Sequence, residues 1–264
     1  MRVSLLVALA ASALSGQCSR RESSAPAAER TPDAGASAAT REGPIRVEPL
    51  DGVTPPVFVL RGAPRGPERL VFLHGMCGDG LGYAQSFQRS AAEQGTLIAP
   101  RADVPCDGGG ARWSKDVAAL DARVTAAFRA LGHAEPVNDI IVIGYSQGAT
   151  RAESLAREFP ERYTRLVLMG GPYAANARGL ETLRGAVALA GDRDRLDLMK
   201  SSARTLKAAG VPATFFLIPD APHGSMGSRP EGTMAEVFAW LGQNQRQKAE
   251  QTRRDAPSPH DSTK

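Results

Sequence analysis

A serine between two glycines is the first feature of this sequence that could carry chemistry. The stretch VIGYSQGAT spans residues 142–150, and its apolar run ends at Gly144, two positions before Ser146. It could be a plain turn, or a sharp strand-to-helix bend that exposes the serine hydroxyl as a nucleophile. Glycines on both sides suit the second interpretation, because a side chain at either position would crowd a strained turn. The motif alone does not decide, so the choice depends on partners and on the surrounding elements.

A serine hydroxyl is a weak nucleophile unless a base activates it. The chain has four histidines, His74, His133, His223 and His260. After a serine at such a bend, the acid and then the histidine follow in chain order. His260 lies in a polar tail, whereas His223 lies in IPDAPHGSM, directly after an apolar run. We therefore predict His223 as the base, against the alternative of an ordinary surface histidine.

The acid should follow the preceding apolar run, where LAGDRDRL supplies Asp192 and Asp194. We predict that Asp194 holds the Nδ1–H of the histidine and stabilises the imidazolium that forms. Asp192 is the alternative, and it could instead cap or bend the loop.

The segment VFLHGMCGDG, residues 71–80, is placed to complete an oxyanion hole. The loop at this position supplies one backbone donor, and the residue after the nucleophile supplies the other. We predict the backbone N–H groups of Met76 and Gln147 as these donors, and we expect His74 to be structural rather than a base. A helix beginning at Gln147 would add its N-terminal dipole, which favours an anion beside the serine.

The elements that must position these residues alternate along the chain. Near-continuous apolar runs predict strands buried on both faces, and helical spacing of apolar residues separates them. The predicted strands are 69–75, 95–101, 139–146, 165–171, 185–191 and 213–220, the predicted helices are 114–131, 147–159, 196–209 and 231–242, and 45–62 reads as a leading hairpin. This order predicts an α/β fold, a three-layer, doubly wound, mostly parallel sheet, with ligands at the carboxyl ends of the strands.

Composition divides the chain into four segments. Residues 1–18 hold an apolar run from Val3 to Leu14, which is too short for a bilayer and fits a secretory signal. Residues 19–44 are rich in Ser, Ala, Pro, Arg and Glu and predict a disordered linker. Residues 45–243 form the predicted folded domain, and residues 244–264 a predicted disordered tail.

The three cysteines are placed by the predicted export. Cys18 follows the apolar run and precedes the linker, as in a lipidated bacterial lipoprotein, although Gln17 stands where a small residue is usual. The alternative is ordinary signal cleavage after Ala13. Either route predicts the periplasm or a lipid-anchored position in the cell envelope, or secretion. In that oxidising compartment Cys77 and Cys106 form an even pair that we predict to be disulfide-bonded, against the alternative of two buried thiols.

The charge pattern argues against nucleic acid as a partner. The formal net charge is +4, and no dense basic stripe with interleaved aromatic residues occurs. No metal ion or cofactor is predicted either. The only membrane contact expected is a lipid anchor at Cys18.

Together, LHGMCG, GYSQG, AGDRD and PHG at these spacings resemble the α/β-hydrolase superfamily over about residues 69–242. GYSQGA and APRADVPCDGGGARW look like its carboxylesterase, phospholipase and acyl-protein thioesterase branch, an outline shared by depolymerase-like and feruloyl-esterase-like enzymes. The resemblance implies that Gly108 and Gly109 lead to a tryptophan, Trp113, beside the active site. It therefore makes Gly109 and Trp113 candidate substrate-binding residues, while Cys106 departs from the thioesterase pattern.

The segment Pro172–Arg184 is too short to hold the large cap of lipases or epoxide hydrolases. The resemblance then implies an open site and an exported serine hydrolase that cleaves esters or thioesters of small or short-acyl substrates through an acyl-enzyme. An exported serine peptidase is one alternative. A catalytically silent envelope protein that uses this fold to bind is the other.

Overall fold

An eight-stranded sheet forms the centre of the computed structural model, which describes residues 45–62, 68–133 and 137–255. Its strands are β1 (Val47–Leu50), β2 (Val57–Leu60), β3 (Glu68–Leu73), β4 (Gly95–Pro100), β7 (Ile140–Tyr145), β8 (Arg165–Met169), β9 (Gly185–Arg193) and β10 (Ala213–Pro222). The spatial order is β1-β2-β4-β3-β7-β8-β9-β10. The six strands from β4 to β10 in that order are parallel, and β1 and β2 form an antiparallel hairpin on one edge. A separate short hairpin pairs β5 (Val104–Pro105) with β6 (Ala111–Arg112).

The near-continuous apolar runs arise because both faces of this sheet are covered. Along β3, Leu70 and Phe72 pack into one core, whereas Val71 and Leu73 pack into the other. Successive side chains of a strand point to opposite faces, so a strand buried on both sides needs no polar positions. The predicted three-layer α/β architecture with a mostly parallel sheet is confirmed.

Helices cover the two faces. The helices are α1 (Leu81–Ser86), α2 (Gln88–Gln94), α3 (Val117–Ala130), α4 (Gln147–Glu158), α5 (Leu196–Ala208) and α6 (Pro230–Asp255). Buried residues of α3, α4 and α5 belong to one core, and those of α1, α2 and α6 to the other. The sequence did not predict α1 and α2, which are too short to show a clear helical period.

The connection between β8 and β9 contains no inserted domain. Residues 170–184, all of them described, form turns and contain neither helix nor strand. This agrees with the expectation that the fold carries no large cap.

The chain ends differ from expectation in one respect. Helix α6 continues to Asp255, so the predicted disordered tail begins too early. The physical reason is composition, since residues 244–255 contain no Gly or Pro and are mostly good helix formers. The predicted signal segment 1–18 and linker 19–44 lie outside the described residues.

Candidate active site

Ser146 stands at a strained bend between β7 and α4. Its φ of 52° and ψ of −116° are unusual for a residue with a side chain, and it is the N-cap of α4. A Cβ on Gly144 would lie 2.3 Å from the carbonyl oxygen of Gly148, and one on Gly148 would lie 2.0 Å from that of Leu73. Both glycines are therefore required by close backbone contacts, and the stretch is a strand-to-helix elbow rather than a plain turn.

Three side chains from three different loops meet at this bend. The Oγ of Ser146 lies 3.0 Å from Nε2 of His223. The Nδ1 of His223 lies 2.9 and 3.0 Å from the two carboxylate oxygens of Asp194. A carboxylate can only accept, so Nδ1 carries the proton and Nε2 is free to take the serine's. The Asp194 side chain is 3% exposed, whereas that of His223 is 42% exposed and accessible to substrate.

Gly170 makes room for this arrangement, and the sequence did not reveal it. Its φ is 51°, and a Cβ there would lie 2.7 Å from a carboxylate oxygen of Asp194 and 3.5 Å from Nδ1 of His223. Any larger residue would displace the acid or the imidazole. The only sequence signal was the Gly-Gly pair at the end of the fourth predicted strand.

Asp192 bends the loop instead of contacting the histidine. Its carboxylate accepts the backbone N–H groups of Asp220, at 3.1 Å, and Ala221, at 2.9 Å. Partial desolvation raises the pKa of Asp192, but these hydrogen bonds outweigh it and hold the pKa below its usual value. The structure therefore puts Asp194 in contact with the imidazole and gives Asp192 the structural position.

Two tyrosines hold the residue that follows the histidine. The hydroxyl of Tyr83 donates to the carbonyl oxygen of Gly224 at 3.1 Å, and the N–H of Gly224 donates to the hydroxyl of Tyr145. Burial raises the pKa of Tyr145 to about 12, so its phenol stays protonated. The Tyr145 ring lies 5.5 Å from the His223 imidazole, centroid to centroid. Sequence reasoning missed this pair, because Tyr83 lies on the unpredicted α1.

The predicted oxyanion donors lie beside the nucleophile. A Cβ on Gly75 would lie only 3.4 Å from Cβ of Ser146, so the loop that carries Met76 packs against the serine. Within the described ranges, neither the Met76 N–H nor the Gln147 N–H has a hydrogen-bond acceptor. Two free N–H groups at a helix N-terminus and its neighbouring loop are suited to bind a developing oxyanion.

His74 holds the loop that carries Met76 in place through two hydrogen bonds. Its ring is fully buried, and its Nε2 accepts the N–H of Ala102 at 2.9 Å. The proton must then be on Nδ1, which donates to the carbonyl oxygen of Gly75 at 2.7 Å. Burial lowers the pKa of His74, consistent with a neutral ring. This is the structural position expected from the sequence.

A disulfide joins the oxyanion loop to the β5–β6 hairpin. Cys77 and Cys106 are bonded, as predicted, with their Cα atoms 5.8 Å apart. The N–H of Ala111 donates to the carbonyl oxygen of Gly78 at 3.1 Å, which ties the same two segments together. A Cβ on Gly110 would lie 2.0 Å from the carbonyl oxygen of Cys77, so this glycine is the one that the contact requires.

The two candidate substrate-binding residues differ in exposure, since Trp113 is buried and Gly109 is exposed. The Trp113 side chain is 3% exposed, and its indole N–H donates to the carbonyl oxygen of His74 at 2.7 Å. Its backbone N–H donates to the side-chain oxygen of Gln147 at 3.0 Å. Gly109 lies in an exposed turn with open space around it. Trp113 therefore contacts both oxyanion segments, and it also lines a cavity of about 220 Å³ together with Ser114, Leu120 and Arg123.

Two further properties concern metals and membranes. In the part of the chain that the structure describes, no three His, Cys, Asp or Glu side chains are grouped to hold a metal ion. No described helix combines the length and apolarity that crossing a bilayer requires. Cys18, the candidate lipid attachment site, lies outside the described residues.

Comparison with known proteins gives structural but no sequence matches. A scan against protein-family models finds none, and a search of curated proteins finds none. FphF, a fluorophosphonate-binding serine hydrolase of Staphylococcus aureus, has a TM-score of 0.59 at 14% identity and covers 75% of this chain and 99% of its own. Carboxylesterase CesB of Bacillus subtilis has a TM-score of 0.56 at 14% identity, and the match covers 75% of this chain and 92% of CesB. A membrane phospholipase A described as a bacterial virulence factor has a TM-score of 0.53 at 19% identity, and the match covers 76% of this chain and 87% of the phospholipase.

At these identities the likeness establishes the fold. The chain has the α/β-hydrolase fold, in agreement with the resemblance read from its motifs.

Proposed function

We propose that this protein is a serine hydrolase that cleaves carboxylic esters, or thioesters, of small or short-acyl substrates through an acyl-enzyme. The observation that carries the proposal is the continuous hydrogen-bonded chain from Ser146 through His223 to Asp194, beside two unpartnered backbone N–H groups. The structural neighbours include an esterase and a serine hydrolase, which supports the same class of reaction.

The geometry suggests a two-stage mechanism. In the first stage, Oγ of Ser146 attacks the acyl carbon while Nε2 of His223 takes its proton. The oxygen that becomes negative accepts the N–H groups of Met76 and Gln147. The tetrahedral intermediate collapses as the imidazolium returns the proton to the departing alcohol or thiol. Asp194 stabilises the imidazolium throughout.

In the second stage, water releases the acyl group. His223 takes a proton from the water, the resulting hydroxide attacks the acyl carbon, and Oγ of Ser146 leaves with the proton from the imidazolium. The products are one carboxylic acid and one alcohol or thiol, and the enzyme returns to its starting state. Exposure of His223 leaves the entry of water and substrate unobstructed.

The test is fluorophosphonate labelling together with p-nitrophenyl acetate hydrolysis. Ser146→Ala should abolish labelling and lower kcat by several orders of magnitude, because only oxyanion and binding contributions remain. Ser154→Ala is the matched control, since Ser154 lies on the same helix and bonds only a backbone carbonyl there. Both variants should melt near the wild-type temperature.

Unchanged turnover in a well-folded Ser146→Ala protein would refute the proposal. Absence of labelling and turnover in the wild type would favour the silent binding protein instead. Peptide amides in the same screen would reveal a peptidase. Export, with or without a lipid at Cys18, stays a prediction, and intact-mass measurement of the mature protein tests it.

A further inference from the structure

A small cavity lies next to the elbow, on the α4 side of the sheet. Its volume is about 120 Å³. It is bounded by the first turns of α4, by the loop that follows β8 and by Met199 of α5.

The cavity is adjacent to the reacting groups. Ala149, in its wall, donates its N–H to the carbonyl oxygen of Ser146 at 3.0 Å. Gly171, also in the wall, directly follows Gly170, where a Cβ would meet the acid and the histidine. The two walls approach closely, since a Cβ on Gly171 would lie 3.5 Å from Cβ of Ala149. Neither Ser146 nor His223 lines the cavity, and these backbone contacts place it next to the elbow.

The walls combine apolar side chains with the polar side chains of Thr150 and Glu153. Leu168, Pro172 and Met199 line the cavity, and the Tyr173 side chain, 76% exposed, stands at its rim. One carboxylate, that of Glu153, also lines it, and this carboxylate is already bonded to Arg157 and to the N–H of Asn176. No cation lines the cavity, although Arg195 donates to the carbonyl oxygen of Pro172 at 3.4 Å. A substrate group with its own negative charge would lie beside the Glu153 carboxylate.

We propose that this cavity is the pocket that receives one short, neutral, apolar side of the ester. The inference rests on the proposed function and specifies its substrate class. A cavity of about 150 Å³ holds benzene, so one of this size holds about five non-hydrogen atoms. The preferred group is therefore a chain of butyrate to hexanoate length, and dodecanoate is too long.

The experiment uses two series of esters. One varies the acyl group from acetate to dodecanoate with p-nitrophenol as the leaving group, and the other varies the alcohol of alkyl acetates. In the series whose variable group enters the cavity, kcat/KM should rise about fourfold for each added methylene until the cavity is full, and then fall. Ethyl pentanoate should exceed monoethyl succinate by about tenfold or more if the acyl side enters.

Gly171→Ala is the decisive variant. Its backbone is not left-handed, and the new methyl group would lie 3.1 Å from Cε of Met199, so it fills the cavity with a small shift of one flexible side chain. The optimum should move at least one methylene shorter. Gly242→Ala is the matched control, because nothing lies within 4 Å of a Cβ there. Met199→Ala should move the optimum longer where it folds.

A shift in the acyl series assigns the cavity to the acyl group, and a shift in the alcohol series assigns it to the leaving group. An optimum that Gly171→Ala leaves unmoved in both series overturns the pocket but not the hydrolase, because Ser146-dependent turnover persists. Failure of every ester, together with absent fluorophosphonate labelling, refutes the proposed function itself.

Discussion

The Cys77–Cys106 disulfide should contribute to both stability and catalysis. The bond spans a sequence separation of 29 residues. In the chain-entropy model, removing a disulfide that closes a loop of this length lowers the free energy of unfolding by about 3–4 kcal/mol. For a domain of this size, that lowers the melting temperature by roughly 6–16 °C. The perturbation is the double variant Cys77→Ser, Cys106→Ser, or reduction of the wild type.

The catalytic effect should be smaller than complete loss of an oxyanion donor. Loss of one donor typically costs about 10²–10³ in kcat. Here the loop keeps the hydrogen bond from Ala111 to Gly78 and the anchoring by His74 when the disulfide is absent. We therefore expect kcat to fall by about tenfold, with a smaller change in KM, because the loosened donor acts mainly on the transition state.

The assay is p-nitrophenyl acetate hydrolysis below the melting temperature of the variant, with and without dithiothreitol. Cys77 is exposed, so the reductant reaches the bond. The double serine variant is the control, since dithiothreitol should not affect it. Two alkylated free thiols in a non-reduced tryptic digest of exported protein would refute the bond itself. Unchanged kcat in a folded variant would refute its bracing of the oxyanion loop.

Three further expectations concern single residues. Asp194→Asn should lower kcat about 10⁴-fold, whereas Asp192→Asn should lower kcat by less than about tenfold. Steady-state kinetics of the two variants test this, and the reverse ranking would assign the acid to Asp192. Tyr145→Phe removes the acceptor for the Gly224 N–H, so kcat should fall about tenfold while KM stays nearly unchanged. A rise in KM as large as the fall in kcat would contradict a positioning role. Burial lowers the pKa of His74 in the folded state, so the unfolded chain binds the proton first. The free energy of unfolding should therefore fall as the pH drops below the ordinary histidine pKa of about 6.5. His74→Gln should lose this part of the pH dependence, as measured by urea unfolding at several pH values. The same change of unfolding free energy with pH in both proteins would contradict the expectation.

Local sequence determined the elements and the identity of most candidate residues. The near-continuous apolar runs indicate strands buried on both faces, because a strand that is covered on both sides has no positions that face solvent. Gly144 reflects a contact within the elbow itself, because a Cβ there would lie 2.3 Å from the carbonyl oxygen of Gly148. The chain order of serine, acid and histidine follows from the order of the strands, and this order identifies Asp194 and His223 within the sequence.

Only the tertiary structure decided which nearby residues touch. Asp192 and Asp194 have similar local sequence, and their roles separate because the backbone of residues 220 and 221 arrives beside one and the imidazole beside the other. The burial of Trp113 depends on the contact of its indole with the oxyanion loop, 39 residues away in the chain. The cavity beside Gly171 exists because α4, α5 and the β8–β9 connection converge there. Such contacts join distant segments, and no periodicity or motif within one segment encodes them.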